Sequence, residues 1–310
     1  MNVRVTEERA AEIFESCRNW GRWGADDERG ALNLLTPERV SRAASLARAG
    51  RVVSCGRELP VVAGPDNPSP ALHHMLAAGD VQLMGGSAFS GSMDFVGVAF
   101  HGMAVSHLDA LCHVFVNGRM YNDFPAGDVL STGARRNAVT VASGGIVGRG
   151  VLIDIPRLRG VAWLEPGEEI MPDELEAACR EEGVTTEPGD VILVATGRDA
   201  RRAEHGPWDP YRVGIAGLHP ECIPWLHAQD LSVLGCDGIS DVLPGNPHNW
   251  PLPVHMCTLV AMGVHLLDNL YLGALAEACA AEGRWEFLFC VPPLQIGGGT
   301  GSPVNPVAVL

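Results

Sequence analysis

Three histidines and an aspartate fall in the run His101-Gly-Met-Ala-Val-Ser-His107-Leu-Asp109-Ala-Leu-Cys-His113. Residues two apart in a strand share a face. On that spacing His107 and Asp109 project together, as do His101, Met103 and Val105. An imidazole beside a carboxylate can bind one divalent cation. His113 comes back over the same place if the chain turns at Ala110. A neutral imidazole there could take a proton from a cation-activated water. A lone His-x-Asp is as readily a buried hydrogen-bonded pair. The density of histidines favours the chemical reading, and spacing alone leaves both open.

Other residues invite chemistry less strongly. Gly297-Gly-Gly-Thr-Gly-Ser302 has no lysine and only a short tail after it, so no helix N-terminus is supplied for a phosphate. An ordered C-terminal turn packing beside the site is the better reading. His73-His74 reads as a solvated loop pair, or as part of a pocket entrance if 60–86 forms a lid. Trp20 and Trp23 read as core or interface anchors. Asp237 and Asp241 follow a buried strand end, where site residues collect in α/β folds; turn carboxylates are an equal reading. Cys112 sits between apolar neighbours, which suggests a packed thiol rather than a nucleophile.

The elements that must position these residues are mixed. Helices are expected over 6–17, over 36–49 from Thr36 as N-cap with Pro37 behind it, and over 172–183, 220–228, 254–264 and 272–282. Asp173 could cap the helix at 172. Strands are expected over 51–59, 93–107, 146–155, 191–195, 231–235, 265–267 and 287–291, with a Gly-rich tail. There is no strict βαβ rhythm, so the pattern gives an α/β or α+β fold in one large domain. With 310 residues and 46% hydrophobic residues the chain can bury a full core. The formal net charge of −15 argues against nucleic-acid and anionic-lipid partners. The apolar window 258–267 is too short to span a membrane and carries a histidine. Nine scattered cysteines without a CxxC pair suggest reduced thiols in the cytoplasm.

The histidine run resembles the signature of the cyclase family that includes bacterial kynurenine formamidase and isatin hydrolase, His-x-Gly-Thr-His-x-Asp-x-Pro-x-His. Ser106-His107-Leu108-Asp109-Ala110-Leu111-Cys112-His113 matches its second half, with Ser for Thr and Leu for Pro. Longer members are closer, with HGxxxTHLDALCH followed by a segment like 118–122. Further similarity lies at 19–38 (NWGRWG…DERGALNLLTPE), 145–155, 188–196 and 299–306.

The resemblance implies a swivelling β/β/α domain over 1–310, with 1–50 an N-terminal helical and loop extension. It implies a homodimer or homotetramer, and a Mn²⁺ or Zn²⁺ site that hydrolyses a carbon–nitrogen amide bond. His107 and Asp109 match metal ligands, and His113 matches the catalytic histidine, acting with Asp109. The family's first ligand falls here on Met103. His101 has the same strand parity but lies roughly 6.5 Å further along, within reach only if the strand bends. The family's later His and Glu correspond to His255 and Asp268, with one extra residue between them and a shorter carboxylate. One metal is expected, held by His107 and Asp109 with His255 and Asp268 completing the shell; a metal-free site is the alternative.

The expected activity is hydrolysis of a small cyclic amide, imide, lactam or aryl-formamide, with His113 as general base. A cyclase or dehydratase of secondary metabolism on the same scaffold is the second reading, and activity retained in EDTA would favour it. A non-catalytic ligand-binding relative is the third, to be revived by binding without turnover.

Overall fold

The computed structural model describes residues 4–80 and 89–310. Among them, nine strands join one mixed sheet: β1 Val52–Ser54, β2 His107–Asp109, β3 Ile146–Asp154, β4 Val191–Ala195, β5 Val233–Cys236, β6 His265–Asp268, β7 Glu286–Val291, β8 Gly301–Pro303 and β9 Val307–Val309. Their order across the sheet is β1-β9-β7-β3-β4-β5-β6-β2-β8. Strands β3 to β6 run parallel to one another. Their apolar runs, such as Val-Ile-Leu-Val-Ala in β4, are buried throughout. That is the pattern of strands covered on both faces by helices. The outer strands pair antiparallel, and β7 alternates buried and half-buried positions. The result is the mixed α/β single domain that the pattern suggests.

Most sequence-derived elements are present with trimmed ends. Helix Glu7–Ser16 starts at Thr6, whose hydroxyl accepts from Arg9 N. Helix Pro37–Ala44 has the Thr36 cap but ends early, where the Ser45 hydroxyl donates back to Arg42 O. Asp173 does not cap Pro172–Glu181; Met171 takes that place, and Glu174 accepts its backbone N–H at 2.9 Å. The strand expected over 51–59 holds only Val52–Ser54. The glycine-rich tail is strand at β8 and β9, which periodicity missed because each is three residues long. Among the described residues no helix is long and apolar enough to cross a membrane.

Three elements bear on the site. The first is β2, whose three residues are all buried and lie between β6 and β8. Register sets His107 opposite Asp268, so the two side chains share a face. The second is the segment before β2. It is not strand beyond Gly97: residues 98–106 bend irregularly, with Gly102 at φ 137°, a conformation that L side chains rarely adopt. The third is a helix that begins at Pro253–His255 and continues as the π-helical turn Met256–Met262. Such turns recur at functional sites.

Candidate metal centre

The bend brings His101 back onto the cluster. Its Nδ1 lies 2.8 Å from Asp109 Oδ1. His107 Nε2 lies 3.4 Å from the same oxygen, and His113 Nε2 lies 3.9 Å from it. His113 arrives by the expected turn, closed by a hydrogen bond from its backbone N–H to Ala110 O. His255 Nε2 sits 3.6 Å from Asp109 Oδ2 and 3.1 Å from Asp268 Oδ2. All six sequence-derived residues therefore meet around Asp109. Their donor atoms form two overlapping sets, His101/Asp109/His113 and His107/Asp109/Asp268, each within 4.8 Å. Placing His113 among possible ligands goes beyond the expectation that it acts only as a base. Met103 is elsewhere, packed with Ile215 and Ile239. The ligand missing at 103 is thus matched in space by His101, which strand parity could not place because residues 98–106 are not a strand.

A second layer holds these rings. Val105 O accepts from His107 Nδ1 at 2.8 Å, and Asp241 Oδ2 accepts from His255 Nδ1 at 2.6 Å. Thr300 Oγ1 lies 3.0 Å from His101 Nε2. The bend itself is clamped from two sides. Asn269 Nδ2 donates to Gly102 O and Val105 O, and the buried Arg198 guanidinium donates to Met103 O and to Asn269 Oδ1. The C-terminal turn packs beside the site as expected. A Cβ at Gly301 would collide with Leu108 O and stand 2.9 Å from His101 Cε1. Only glycine leaves His101 its place.

The cluster is short of hydrogen bonds. Both oxygens of Asp109, Oδ1 of Asp268 and Nδ1 of His101 are buried without a hydrogen-bond partner. The 2.8 Å contact between His101 and Asp109 is therefore close but misdirected, as it is when two donors face a common ion. Buried carboxylate oxygens are as a rule hydrogen-bonded, and here four unpartnered polar atoms gather in one cluster. Two carboxylates and several imidazoles are an oxygen–nitrogen set suited to Mn²⁺ or Zn²⁺, so the residues present fit a divalent cation. Burial would raise the Asp109 carboxyl, but His107 and His101 hold it well below its usual range. Burial lowers the His107 imidazole, and Asp109 more than reverses this, to about 9. His255 is likewise lowered by burial and carried well above its usual value by Asp268 and Asp241. Burial pulls His113 down to about 4, and the neighbouring imidazoles add to this against Asp109, which leaves it neutral at physiological pH. The His113 ring stacks on His101 at 3.7 Å, tilted by 3°. With side-chain exposures of 29% and 28%, these two are the most open residues of the cluster.

The open side leads to a cavity of about 330 Å³, lined by Phe100, His101, Met103, Asn67 and Tyr211 among others. Cys112 is a fully buried thiol pushed up to about 12 by burial, as its neighbours suggested. His73 and His74 are exposed on the strand Leu72–Ala77 rather than in a loop; His73 pairs with Asp94 and His74 stacks on Phe95. Of the lid suggested over 60–86, residues 81–86 lie outside the described residues. Trp20 packs on the core and donates to Val260 O. Asp237 caps the backbone at Thr196, Gly197 and Arg198. Asn269, Arg198 and Thr300 carried no sequence signal as site residues; Asp241 carried one only through its place after a buried strand.

A family model described as "Putative cyclase" matches residues 59–241. A solved structure described as a novel cyclase has a TM-score of 0.86 at 31% identity, covering 94% of this chain and 99% of that one. Isatin hydrolase A from Labrenzia aggregata, bound to benzyl benzoate, has a TM-score of 0.60 at 21% identity, with 86% and 97% covered. A "predicted metal-dependent hydrolase" from Bacillus stearothermophilus has a TM-score of 0.52 at 14% identity, with 83% and 97% covered. The last two likenesses are of fold alone. No curated protein sequence matches the chain significantly.

Proposed function

The chain belongs to the cyclase family, and from that premise we propose that it is a metal-dependent hydrolase of a carbon–nitrogen amide bond. The observation that carries the reading is the set of buried carboxylate oxygens on Asp109 and Asp268 that lack hydrogen-bond donors. His107, Asp109, His255 and Asp268 would hold one Mn²⁺ or Zn²⁺, with His101 beside Asp109 as a further ligand. When bound, the cation supplies Lewis-acid polarisation of the amide carbonyl and acidifies a water toward pKa ~7. His113, neutral and pointing Nε2 at the cluster, accepts a proton from the attacking water and returns it to the leaving nitrogen. Phe100, Met103 and Tyr211 line the space in front of His101. Those walls suit a small, largely apolar substrate such as a cyclic amide, imide, lactam or aryl-formamide.

An oligomer is part of the same reading. The hairpin Leu72–Ala77/Met93–Gly97 exposes Leu72, Met75, Leu76, Met93, Phe95 and Val96. A two-stranded hairpin is marginal alone, and an apolar surface of this kind calls for cover. Light scattering of the purified chain tests for the expected dimer or tetramer, and a monomer overturns it.

The deciding experiment is metal content by ICP-MS on wild type and Asp109→Ala. The expected result is about one equivalent of Mn or Zn in wild type, lost in the variant together with turnover of a formamide, lactam or imide. Full metal and full activity in Asp109→Ala sinks the proposal. Activity that survives EDTA moves the chemistry to metal-free ring reactions at His113.

A further inference from the structure

His107 and His255 offer the same nitrogen to the cluster by different means. A carbonyl or a carboxylate can only accept, so each Nδ1 carries a proton and each Nε2 is turned toward Asp109. For His107 the acceptor is the neutral Val105 O. For His255 it is the Asp241 carboxylate, 1% exposed and 2.6 Å from Nδ1. Asp241 is tied to the same short stretch twice more. Its Oδ1 accepts from Val254 N at 2.7 Å, and its Oδ2 accepts from His255 N at 3.1 Å. Backbone and ring of His255 are thus held by one carboxylate at the start of a helix, where the free N–H groups favour negative charge.

Resting on the metal-centre reading above, we propose that Asp241 is a positioning residue that fixes His255 in the orientation and tautomer that present Nε2 to a divalent cation. Its charge makes His255 a stronger donor than His107, whose partner is neutral. Asp241 itself stands one layer out: its side chain accepts from Val254 and His255, while Asp109 and Asp268 face the far nitrogen of that ring.

The test uses the full chain stripped of metal, with Zn²⁺ or Mn²⁺ alone as the probe in calorimetry at pH 8. Asp241→Asn removes the charge and keeps one of the two acceptor oxygens, so one of the Val254 and His255 N–H groups loses its partner. The expected result is a 10–100-fold loss of cation affinity, roughly the size seen for outer partners of metal-bound histidines. The melting temperature of the stripped protein should fall by only a few degrees, the cost of one lost buried hydrogen bond, so the recovery in Asp241→Glu and the resonance shift carry the distinction from a merely structural role. Asp241→Glu should recover part of the affinity. In the Zn²⁺-loaded protein the His255 Nδ1–H proton resonance should move on Asp241→Asn while that of His107 stays. Equal affinity in wild type and Asp241→Asn overturns the proposal, as does a lowered melting temperature with unchanged affinity. If wild type takes up no cation, the metal-centre reading fails first, and a wild-type chain that binds separates the two failures.

Discussion

Asp109 and Asp237 are buried carboxylates in one domain, 0% and 2% exposed, and their surroundings are opposite. Asp237 is saturated. Oδ1 accepts from Thr196 N and Thr196 Oγ1, and Oδ2 from Gly197 N and Arg198 N. It closes the start of helix Arg198–His205, and its charge is spent on the protein's own backbone. Asp109 has imidazoles around it and no directed hydrogen bond to either oxygen. The lesson is that burial of a carboxylate says little about its role. Whether the donors around it are used up separates a structural cap from a place that can receive a cation. The two regions are linked mechanically through Arg198, whose backbone meets Asp237 and whose guanidinium clamps the bend before β2.

The comparison can be broken most decisively by paired substitutions. Asp109→Ala should abolish cation uptake and turnover while leaving a folded chain. Asp237→Ala should do the reverse: it strands several buried N–H groups and should cost roughly 3 kcal/mol of stability in denaturant unfolding, with metal stoichiometry kept in the folded fraction. Metal lost in Asp237→Ala without loss of stability would erase the distinction.

A smaller effect sharpens it from the cluster's side. Gly301→Ala drives a methyl into Leu108 O and toward His101. The expected cost is about 1–3 kcal/mol, with reduced turnover because His101 is displaced. Unchanged activity would mean that the position of His101 is not needed.

The smallest effect belongs to the structural side. Glu182 accepts from Asp154 N, and burial, helped by the Asp154 carboxyl, pushes it up to about 8 from 4.5. The folded protein then binds more protons than the unfolded chain between those values. Its stability is full below about 4.5 and is lost as pH rises through about 8. Glu182→Gln should flatten the fall in melting temperature between pH 5 and 8, by a few degrees at most given its partial exposure. An identical slope in the variant would assign the fall to another group.

Much of the fold was legible. The buried runs at β3, β4, β5 and β7 and the helices around them follow from apolar period and from caps such as Thr6 and Thr36. Short strands escaped, because three residues such as β8 give no period, and a strand of that length exists only through its partner β2. The expected strand through 93–107 failed for a related reason: its bend is held by Asn269 and Arg198, 167 and 95 residues away from their acceptors.

By itself the sequence determined the chemistry available to this protein: the donor types His101, His107, Asp109, His113, His255 and Asp268, the apolar runs that bury them, and an excess of acidic over basic residues. Tertiary structure alone decided which donors meet. It placed His101 rather than residue 103 against Asp109, set Asp268 opposite His107 by strand register, and gave Asp237 its donors while leaving Asp109 without them. Residue type is local information. Reach, register and hydrogen-bond saturation depend on contacts between segments far apart in the chain, and those contacts exist only once the sheet has formed.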